Sequence, residues 1–359
     1  MPTVWEVDVR WVRFVSSTAS LWCMDSVTAL RRIAFLLERS REPTYRVQAY
    51  RTAADVLAGL SAEEIERRVA AGTLTDLRGV GPKTASAAAE AHAGETPQYL
   101  ANLEAQVGPL TEGGEGLREQ LQGDLHTHSE WSDGGSPVPE MAATAVALGH
   151  SYLAMTDHSP RLTIANGLSP ERLERQLDLV ASINVELAPF RLLTGIECDI
   201  NEDGTLDQTA ELLGRVDIVV ASVHSKLRSD RAVMTRRMLR AVQNPHTDIL
   251  GHCTGRLVTG GRGQRPESQF DSAAVFAACA EHGVAVEINS RPERLDPPRR
   301  LLREAVAAGC LFSIDTDAHA PGQLDWQIYG CARAQECEVP AGRVVNTWAV
   351  EELLAWAAS

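Results

Sequence analysis

The chain has 359 residues, enough for one large domain and a second, smaller one. Its formal charge of −14 argues against non-specific coating of a polyanion, and no apolar run reaches the roughly 18 residues that cross a bilayer. The seven cysteines are scattered, without a CxxC pair, and favour a reducing cytoplasm. We therefore expect a cytoplasmic protein without a membrane or disulfide-linked partner. Cys198, Cys253 and Cys310 are predicted to be buried small hydrophobic residues.

Residues 1–24 have no clear secondary-structure pattern. The string MPTVWEVDVRWVRFVSSTASLWC lacks the basic start, long apolar stretch and small-residue cleavage site of a signal peptide. We predict a disordered tail over these residues, with Met24 as the natural start.

Residues 25–100 are predicted to be helical. SVTALRRIAFLLERS, YRVQAYRTAADVLAGL and SAEEIERRVAAG carry apolar residues at helical spacing. Ser26 is the predicted N-cap of the first helix, and Ser61 with Glu64 forms a capping-box pattern. In LRGVGPKTASAAAEA a short helix gives way to a Gly-rich turn before another helix begins, so backbone N–H groups there can hold a phosphate. This arrangement resembles a helix-hairpin-helix, which binds the DNA backbone without reading its sequence.

Residues 101–122, which include LTEGGEGLREQLQG, are predicted to be a linker. Residues 123–359 then alternate apolar runs with amphipathic helices, which predicts a parallel sheet, open or closed. Seven strands can be counted, with VAVEINS as the sixth. The other six runs stop at a His, Asp or Glu, in GDLHTHSEWSDG, YLAMTDHS, LLTGIECD, IVVASVHS, DILGHC and FSIDTDAH. Because the carboxyl ends of strands meet on one face of a parallel β/α barrel, we expect these side chains to converge.

Nine residues at these strand ends are predicted metal ligands. Imidazole and carboxylate groups without thiolates favour Mn²⁺, Zn²⁺ or Fe²⁺ over a structural thiolate zinc site. His126 and His128 are two apart after a strand, so both point to the same side and can bind one ion. Independent structural roles at all of these strand ends would be an unusual coincidence. The set is His126, His128, Asp133, His158, Glu197, His224, His252, Asp317 and His319.

The number of ligands favours a site with two or three ions. Clustered metals suit phosphoester hydrolysis, because they lower the pKa of a water molecule and stabilise the attacking and leaving oxygens. We predict Glu197 and Asp317 as the bridging, catalytic carboxylates. A deamidase or deaminase with a single metal needs fewer ligands, and a redox iron site usually has fewer protein ligands. Phosphoester hydrolysis is therefore favoured before any family is considered.

Residues 124–319 resemble a PHP (polymerase and histidinol phosphatase) domain, a distorted seven-stranded β/α barrel with a trinuclear metal site. All nine ligand positions of that family are filled in this chain. The resemblance implies up to three divalent ions, with Glu197 as a bridge between the first and the second. The implied groups are His126, His128, Glu197 and Asp317 for the first ion, Glu197, His224 and His252 for the second, and Asp133, His158 and His319 for the third.

The chain is similar in particular to bacterial family X DNA polymerases. EINSRPERLDPP, IDTDAHAPGQLD and VVNTWAVEELLAW resemble the PHP domain of that subgroup, and AYRTAADVL with LRGVGPKTASAAAE resembles its small N-terminal DNA-binding domain. Together the two resemblances cover nearly all of residues 25–359. The expected fold is α/β, a distorted seven-stranded β/α barrel of the PHP type preceded by a small all-α helix-hairpin-helix domain.

The chain departs from that subgroup at two points. The catalytic palm of the polymerase belongs between the two domains, but only residues 101–122 separate them and they carry no paired catalytic aspartates. Template copying by that mechanism is therefore excluded. Some relatives form a Schiff base through a lysine four residues after the position of Lys83, and Ala87 occupies that position here. This substitution argues against lyase activity.

Further residues are predicted to contact the substrate. The predicted phosphate-binding residues are Lys226, Arg291 and Arg294, and the predicted hydrogen-bond partners of the ester are Ser225 and Asn289. Strand-end arginines serve equally often as salt-bridge partners, so both roles stay open. The predicted DNA contacts in the helical domain are Tyr50, Gly79, Gly81 and Lys83.

The sequence favours a metal-dependent phosphoesterase acting on DNA, as a 3′-to-5′ exonuclease or a 3′-end-processing repair nuclease. The expected partner is DNA, as single strands, 3′ ends or gaps. One alternative is a small-molecule phosphatase of the histidinol-phosphate type, which needs no DNA-binding domain, so residues 25–100 argue against it. A second alternative is a non-catalytic DNA-binding scaffold, and the complete ligand set argues against that.

Overall fold

The computed structural model of the protein describes residues 24–260 and 263–359. The predictions of a disordered tail and of Met24 as the start concern residues 1–23, which lie outside this range. The described chain divides into two units, of which the first comprises residues 24–109 together with Pro321–Gln323. Leu110–Ala320 and Leu324–Ser359 belong to the second. None of the described helices is long and apolar enough to cross a membrane.

The N-terminal unit is built from helices, which confirms the predicted all-α region. The helices are α1 (Ser26–Arg39), α2 (Thr44–Ala58), α3 (Ala62–Ala71), α4 (Pro82–His92) and α5 (Gln98–Gln106). Alanines such as Ala53, Ala54, Ala87 and Ala88 are at most 2% exposed and let α1, α2 and α4 pack closely. Larger side chains of α1 fill the space between the helices, and each buried Leu or Ile stabilises the fold by about 1.5–3 kcal/mol.

The N-cap of α1 is Asp25, not Ser26 as predicted. The Asp25 carboxylate accepts a hydrogen bond from the Thr28 N–H at 2.7 Å. Ser26 is the first helical residue, and its buried hydroxyl donates to the Ala88 carbonyl at 2.7 Å. The Ser26 hydroxyl is therefore used in packing α1 against α4, which leaves the capping position to the aspartate before it.

The N-cap of α3 is Ser61, as predicted. Its hydroxyl accepts a hydrogen bond from the Glu64 N–H at 3.2 Å. The Glu64 carboxylate pairs with Arg68 at 2.6 Å, one helical turn further along α3. The capping-box string thus forms its serine half, while the glutamate makes a pair on the helix surface.

The second unit contains the predicted seven-stranded parallel barrel, with strands in the order of the sequence. The strands are β1 (Gly123–Thr127), β2 (Tyr152–Met155), β3 (Arg191–Asp199), β4 (Ile218–Ser222), β5 (Ile249–Leu250), β6 (Ala285–Asn289) and β7 (Phe312–Asp315). The helices are α6 (Glu115–Arg118), α7 (Val138–Ala147), α8 (Pro170–Leu187), α9 (Ala210–Leu213), α10 (Arg231–Val242), α11 (Ser272–His282), α12 (Arg299–Ala308), α13 (Gln327–Glu336) and α14 (Val350–Ala357). The segment 101–122, predicted to be a linker, holds the end of α5 and all of α6.

The first and last strands come together and bring the strand ends to one rim. Thr127 forms a parallel bridge with Ala318, and the His128 N–H donates to the Ala318 carbonyl at 2.8 Å. Two to three residues earlier along the two strands, the Asp315 carboxylate accepts a hydrogen bond from the Leu125 N–H at 2.9 Å. These bonds tie β1 to β7, so side chains that follow either strand lie side by side.

The strands are buried on both faces, which explains their nearly continuous apolar sequences. All five residues of β4, IVVAS, are buried, as expected for a parallel strand covered by helices. Cys198, Cys253 and Cys310 are at most 5% exposed, which confirms that they behave as small hydrophobic residues. The polar side chains that interrupt this pattern at the carboxyl ends are therefore the exception in the barrel.

Candidate metal centre

The nine predicted ligands meet at the carboxyl ends of six strands. Each of them offers a ligand atom to at least one group of three or four whose atoms lie within 4.8 Å of one another. The groups are His128, Asp133, His158 and His319; His126, His128 and Asp317; His126, Glu197 and His252; and His158, Glu197 and His224. Side chains separated by up to about half of the chain are thus brought to one place by the parallel order of the strands.

Glu197, the last but two residue of β3, lies at the middle of the cluster. Its Oε1 lies 2.8 Å from His252 Nε2 and 3.2 Å from His224 Nε2. Its Oε2 lies 3.3 Å from His126 Nε2 and 2.9 Å from His158 Nδ1. The two oxygens of one carboxylate therefore face different pairs of histidines, which is the arrangement needed to bridge two ions.

The surroundings keep the central carboxylates charged although both are buried. Burial raises the pKa of Glu197, but the neighbouring His224 and His126 outweigh it and lower this pKa well below its usual range. Burial also opposes ionisation of Asp317, whose pKa is nevertheless lowered well below its usual range by Arg294 and Arg291. Both groups are therefore in the ionised form that binds a cation.

The histidines of the cluster offer nitrogen atoms that other groups do not use. Burial, together with the nearby His319 and His158, lowers the pKa of His128 to about 3, so its ring is neutral. Within the described part of the chain, both ring nitrogens of His128 and Nε2 of His126 are buried without a hydrogen bond. Buried polar atoms normally have a partner, and neutral imidazole nitrogens are the atoms that divalent ions bind. The residues present therefore fit a metal site.

Three carboxylates that the sequence did not single out support the predicted ligands. Asp199 contacts His224 Nδ1, and Glu287 lies 2.5 Å from His126 Nδ1. Asp157 accepts from the Ser129 N–H at 2.8 Å and from the Ser129 hydroxyl at 2.6 Å, which holds the loop after His128. Asp199 and Asp157 lie within two residues of a ligand, and Glu287 lies in the predicted sixth strand. Their positions at strand ends were the signal that could have identified them.

The two arginines predicted to bind substrate phosphate are directed at a predicted ligand. Arg294 Nε donates to Asp317 Oδ2 at 2.9 Å. Arg291 donates to the Asp317 carbonyl at 2.9 Å and lies 3.0 Å from His319 Nδ1. Both side chains remain partly exposed, at 15% for Arg291 and 13% for Arg294. The structure therefore places them at the rim of the cluster, where each is in contact with Asp317.

The other three predicted substrate contacts lie in different surroundings. Ser225 and Lys226 follow β4 and are exposed beside His224. Arg237 holds this turn by donating to the Ser225 carbonyl at 2.7 Å and to the Ser225 hydroxyl at 3.2 Å. Asn289 is fully buried, and its amide donates to Glu287 and to Asp317 at 3.2 and 3.3 Å. Asn289 therefore contacts the ligand set rather than open space at the site.

Two family models match this chain. A helix-hairpin-helix domain matches residues 25–96, and a PHP domain matches residues 124–291. A probable phosphatase of Edwardsiella ictaluri is 30% identical, over 62% of this chain and 89% of its own length. A probable phosphatase of Shewanella sp. (strain MR-4) is 32% identical, over 62% of this chain and 86% of its own length. The chain belongs to the PHP family of phosphoester hydrolases.

The chain is also similar to a much longer relative and to one solved structure. The DNA polymerase/3′-5′ exonuclease PolX of Bacillus subtilis (strain 168) is 38% identical over 66% of this chain, which spans only 41% of that relative. Among solved structures, histidinol phosphate phosphatase from Lactococcus lactis subsp. lactis Il1403, complexed with zinc, L-histidinol and phosphate, is 19% identical. Its TM-score is 0.43, and the match covers 62% of this chain and 94% of that one.

In the helix-hairpin-helix domain, Tyr50 lies in the interior. Its side chain belongs to the buried face of α2, with 6% of the residue exposed, and its ring stacks on Tyr99 with 5.7 Å between the ring centres. The prediction of a DNA contact assumed an exposed ring. The helical spacing of AYRTAADVL instead places Tyr50 on the same face as Ala53, Ala54 and Leu57, which are fully buried.

The hairpin itself needs its first glycine. Gly79 has a φ of +98°, and a Cβ there would lie 2.7 Å from a methyl group of Thr52. Gly81 precedes α4, and its N–H donates to the Thr84 hydroxyl at 2.9 Å. The Val80 N–H is also used, because it donates to the Leu77 carbonyl at 3.0 Å. Lys83 in the first turn of α4 is exposed, as are Gly79 and Gly81.

Proposed function

We propose that this protein is a metal-dependent phosphoesterase that acts on DNA, as a 3′-to-5′ exonuclease or a 3′-end-processing repair nuclease. The proposal rests on one observation, that a nine-residue His, Asp and Glu cluster in a PHP barrel shares its chain with a helix-hairpin-helix domain. A barrel that hydrolyses a small phosphate monoester does not need a helix-hairpin-helix domain. The relative from Bacillus subtilis carries 3′-5′ exonuclease in its name, which supports the proposed polarity.

In this proposal the nine clustered residues hold up to three divalent ions, Mn²⁺, Zn²⁺ or Fe²⁺. Glu197 would be shared between two of them, because its oxygens face different histidine pairs. Bound ions would supply a water of lowered pKa and positive charge for the phosphate oxygens. Asp317 contributes the second catalytic carboxylate, and Arg294 keeps it ionised and oriented.

The chain supplies further positive charge where the substrate would enter. Lys226 and Ser225 are exposed directly after the β4 strand end and are proposed to contact a substrate phosphate. Arg291, after β6, is partly exposed beside His319 and is proposed to do the same. In the helix-hairpin-helix domain, Lys83 and the turn at Gly79 are proposed to bind the DNA backbone, which positions the strand without reading its bases.

A substrate panel tests this function against its alternatives. Full-length protein in Mn²⁺ is incubated with 5′-labelled single-stranded DNA, gapped duplex DNA and, separately, L-histidinol phosphate. We expect the labelled strand to shorten stepwise from its 3′ end, and a 3′-terminal phosphorothioate to block this. Rapid release of phosphate from histidinol phosphate with intact DNA would favour the small-molecule phosphatase, which the probable phosphatase relatives also support. If neither DNA nor L-histidinol phosphate is hydrolysed, the non-catalytic DNA-binding scaffold is favoured.

The cytoplasmic location stays a prediction.

Metal content is expected to exceed one equivalent per chain. Elemental analysis of protein purified without chelator measures this directly for Zn, Mn and Fe. Asp133 belongs to a single group of clustered residues and is the most exposed of the nine. Asp133→Asn should therefore lower the metal content by about one equivalent per chain, while the other ions stay bound. A reproducible single equivalent in the unaltered protein after loading with Mn²⁺ or Zn²⁺ would contradict a site for several ions.

A further inference from the structure

Strand β6 differs from the other six strands of the described barrel, because neither the strand nor the loop that follows it supplies a residue of the nine-residue cluster. It nevertheless ends in two polar side chains, Glu287 and Asn289, which are both fully buried. They are two residues apart and therefore point to the same side of the strand. An isolated buried carboxylate is costly, so the partners of Glu287 should explain why it is there.

Glu287 uses both of its oxygens on the cluster. Oε1 lies 2.5 Å from His126 Nδ1. Oε2 accepts from the backbone N–H of His252 and from the Asn289 amide at 3.2 Å. Because carboxylate oxygens accept hydrogen bonds, this contact places a His126 ring proton at Nδ1. Nε2, which faces Glu197 Oε2 at 3.3 Å, is then the ring nitrogen that remains for a bound ion.

Asn289 extends the same support to the last strand. Its amide group donates to Asp317 Oδ2 at 3.3 Å as well as to Glu287. Its amide oxygen accepts from the Arg291 N–H at 3.1 Å, which fixes the orientation of the side chain. The end of β6 thus reaches one predicted ligand within β1, one after β5 and one after β7. Within the described chain, the hydrogen-bond partners found for Glu287 are His126, His252 and Asn289.

We propose that Glu287 and Asn289 are positioning residues that set the ring tautomer of His126 and the orientation of His252 and Asp317 for metal binding. The inference rests on the metal site of the proposed function. Neither side chain is needed to bind an ion itself. A merely structural role would be served equally well by an apolar side chain of similar volume, which would cost less in the interior of the barrel.

Metal affinity in the full-length protein tests the proposal. Glu287→Gln keeps the shape but removes the charge that holds the His126 proton, and Asn289→Ser removes the amide that links β6 to Asp317. Competition between the metal-free protein and a chelator, with Mn²⁺ as the probe, should show a loss of affinity of about 10- to 100-fold for each variant. Asp248→Asn is the matched control, because this buried carboxylate accepts from the Val219 N–H at 2.7 Å before β5 and contacts none of the cluster in the described structure.

A second readout is spectroscopic and needs no substrate. Nitrogen–proton correlation spectra of the Zn²⁺-loaded protein show which ring nitrogen of a histidine carries the proton, and the His126 signal is identified by its loss in His126→Gln. The unaltered protein should show the Nδ1–H form of His126, and Glu287→Gln should shift it toward the Nε2–H form. Asp248→Asn should leave it unchanged. Thermal unfolding of each variant shows whether the fold is kept, and Asn289→Ser decides the outcome if Glu287→Gln does not fold.

Several results would overturn the proposal. Affinities of Glu287→Gln and Asn289→Ser within twofold of the unaltered protein would do so, as would equal losses in these variants and in Asp248→Asn. An unaltered protein that binds no Mn²⁺ would overturn the metal site of the proposed function together with this inference. If the affinities separate as expected but DNA is not cleaved, only the proposed substrate is wrong, and the positioning role is supported.

Discussion

Replacing Glu197 by Gln should lower phosphoester hydrolysis by at least roughly 10²- to 10³-fold. The substitution keeps the size of the side chain but removes the charge shared by two histidine pairs, on Oε1 with His252 and His224 and on Oε2 with His126 and His158. Two cations placed close together repel each other, and a neutral amide cannot offset that repulsion. The loss should therefore appear in kcat for every phosphoester, whether DNA or a small nitrophenyl phosphodiester.

A matched variant separates this effect from a loss of folding. Asp217→Asn makes the same chemical change at the opposite end of the same strand pair, where the Asp217 carboxylate accepts from the Thr194 N–H and hydroxyl, both at 2.8 Å. Removing those bonds should cost about 1–3 kcal/mol of unfolding free energy and leave kcat within a fewfold of the unaltered protein. Near-normal turnover by Glu197→Gln in Mn²⁺ would remove Glu197 from the site.

The barrel and the convergence of the nine predicted ligands could be predicted because their signals are local. Each strand is a short apolar run, and each run ends in a residue that apolar strands do not otherwise contain, such as His158 after YLAMTD or His224 after IVVASV. Parallel order then places all strand ends on one face without any knowledge of side-chain contacts. The same argument identified Glu197, although it could not show that its two oxygens separate the histidines into pairs.

The supporting contacts could not be predicted because they join distant parts of the chain. His126 and Glu287 are 161 residues apart, and nothing in VAVEINS shows which ring its glutamate meets. Asn289 was predicted to meet the substrate, since a polar strand-end residue can face either the substrate or its neighbours. Tyr50 was wrongly assumed to be exposed, and its stacking on Tyr99 depends on how α2 and α5 pack. Pattern alone specifies the direction of a side chain but not its partner.

Deleting residues 1–109 is expected to change DNA binding and leave the chemistry in place. The deletion removes the helix-hairpin-helix domain, while all nine clustered residues belong to the part that remains. Turnover of a nitrophenyl phosphodiester should stay within a fewfold of the full chain. The KM for DNA should rise by roughly 10²-fold at low salt, because phosphate contacts that bind substrate and transition state equally are lost. Steady-state kinetics on both substrates measure this division.

A charge reversal in the full chain tests the hairpin more closely. Lys83→Glu should raise the KM for DNA by roughly tenfold and make it less dependent on salt, because one phosphate contact is lost and replaced by repulsion. Arg67→Glu makes the same change of charge on α3, where the side chain is 72% exposed and paired with Glu64, and should have a much smaller effect. Equal effects of the two variants would mean that only the overall charge of the domain matters. DNA cleavage by the truncated barrel as efficient as that of the full chain at low salt would show that this domain does not hold the DNA, and would shift the balance toward the small-molecule phosphatase.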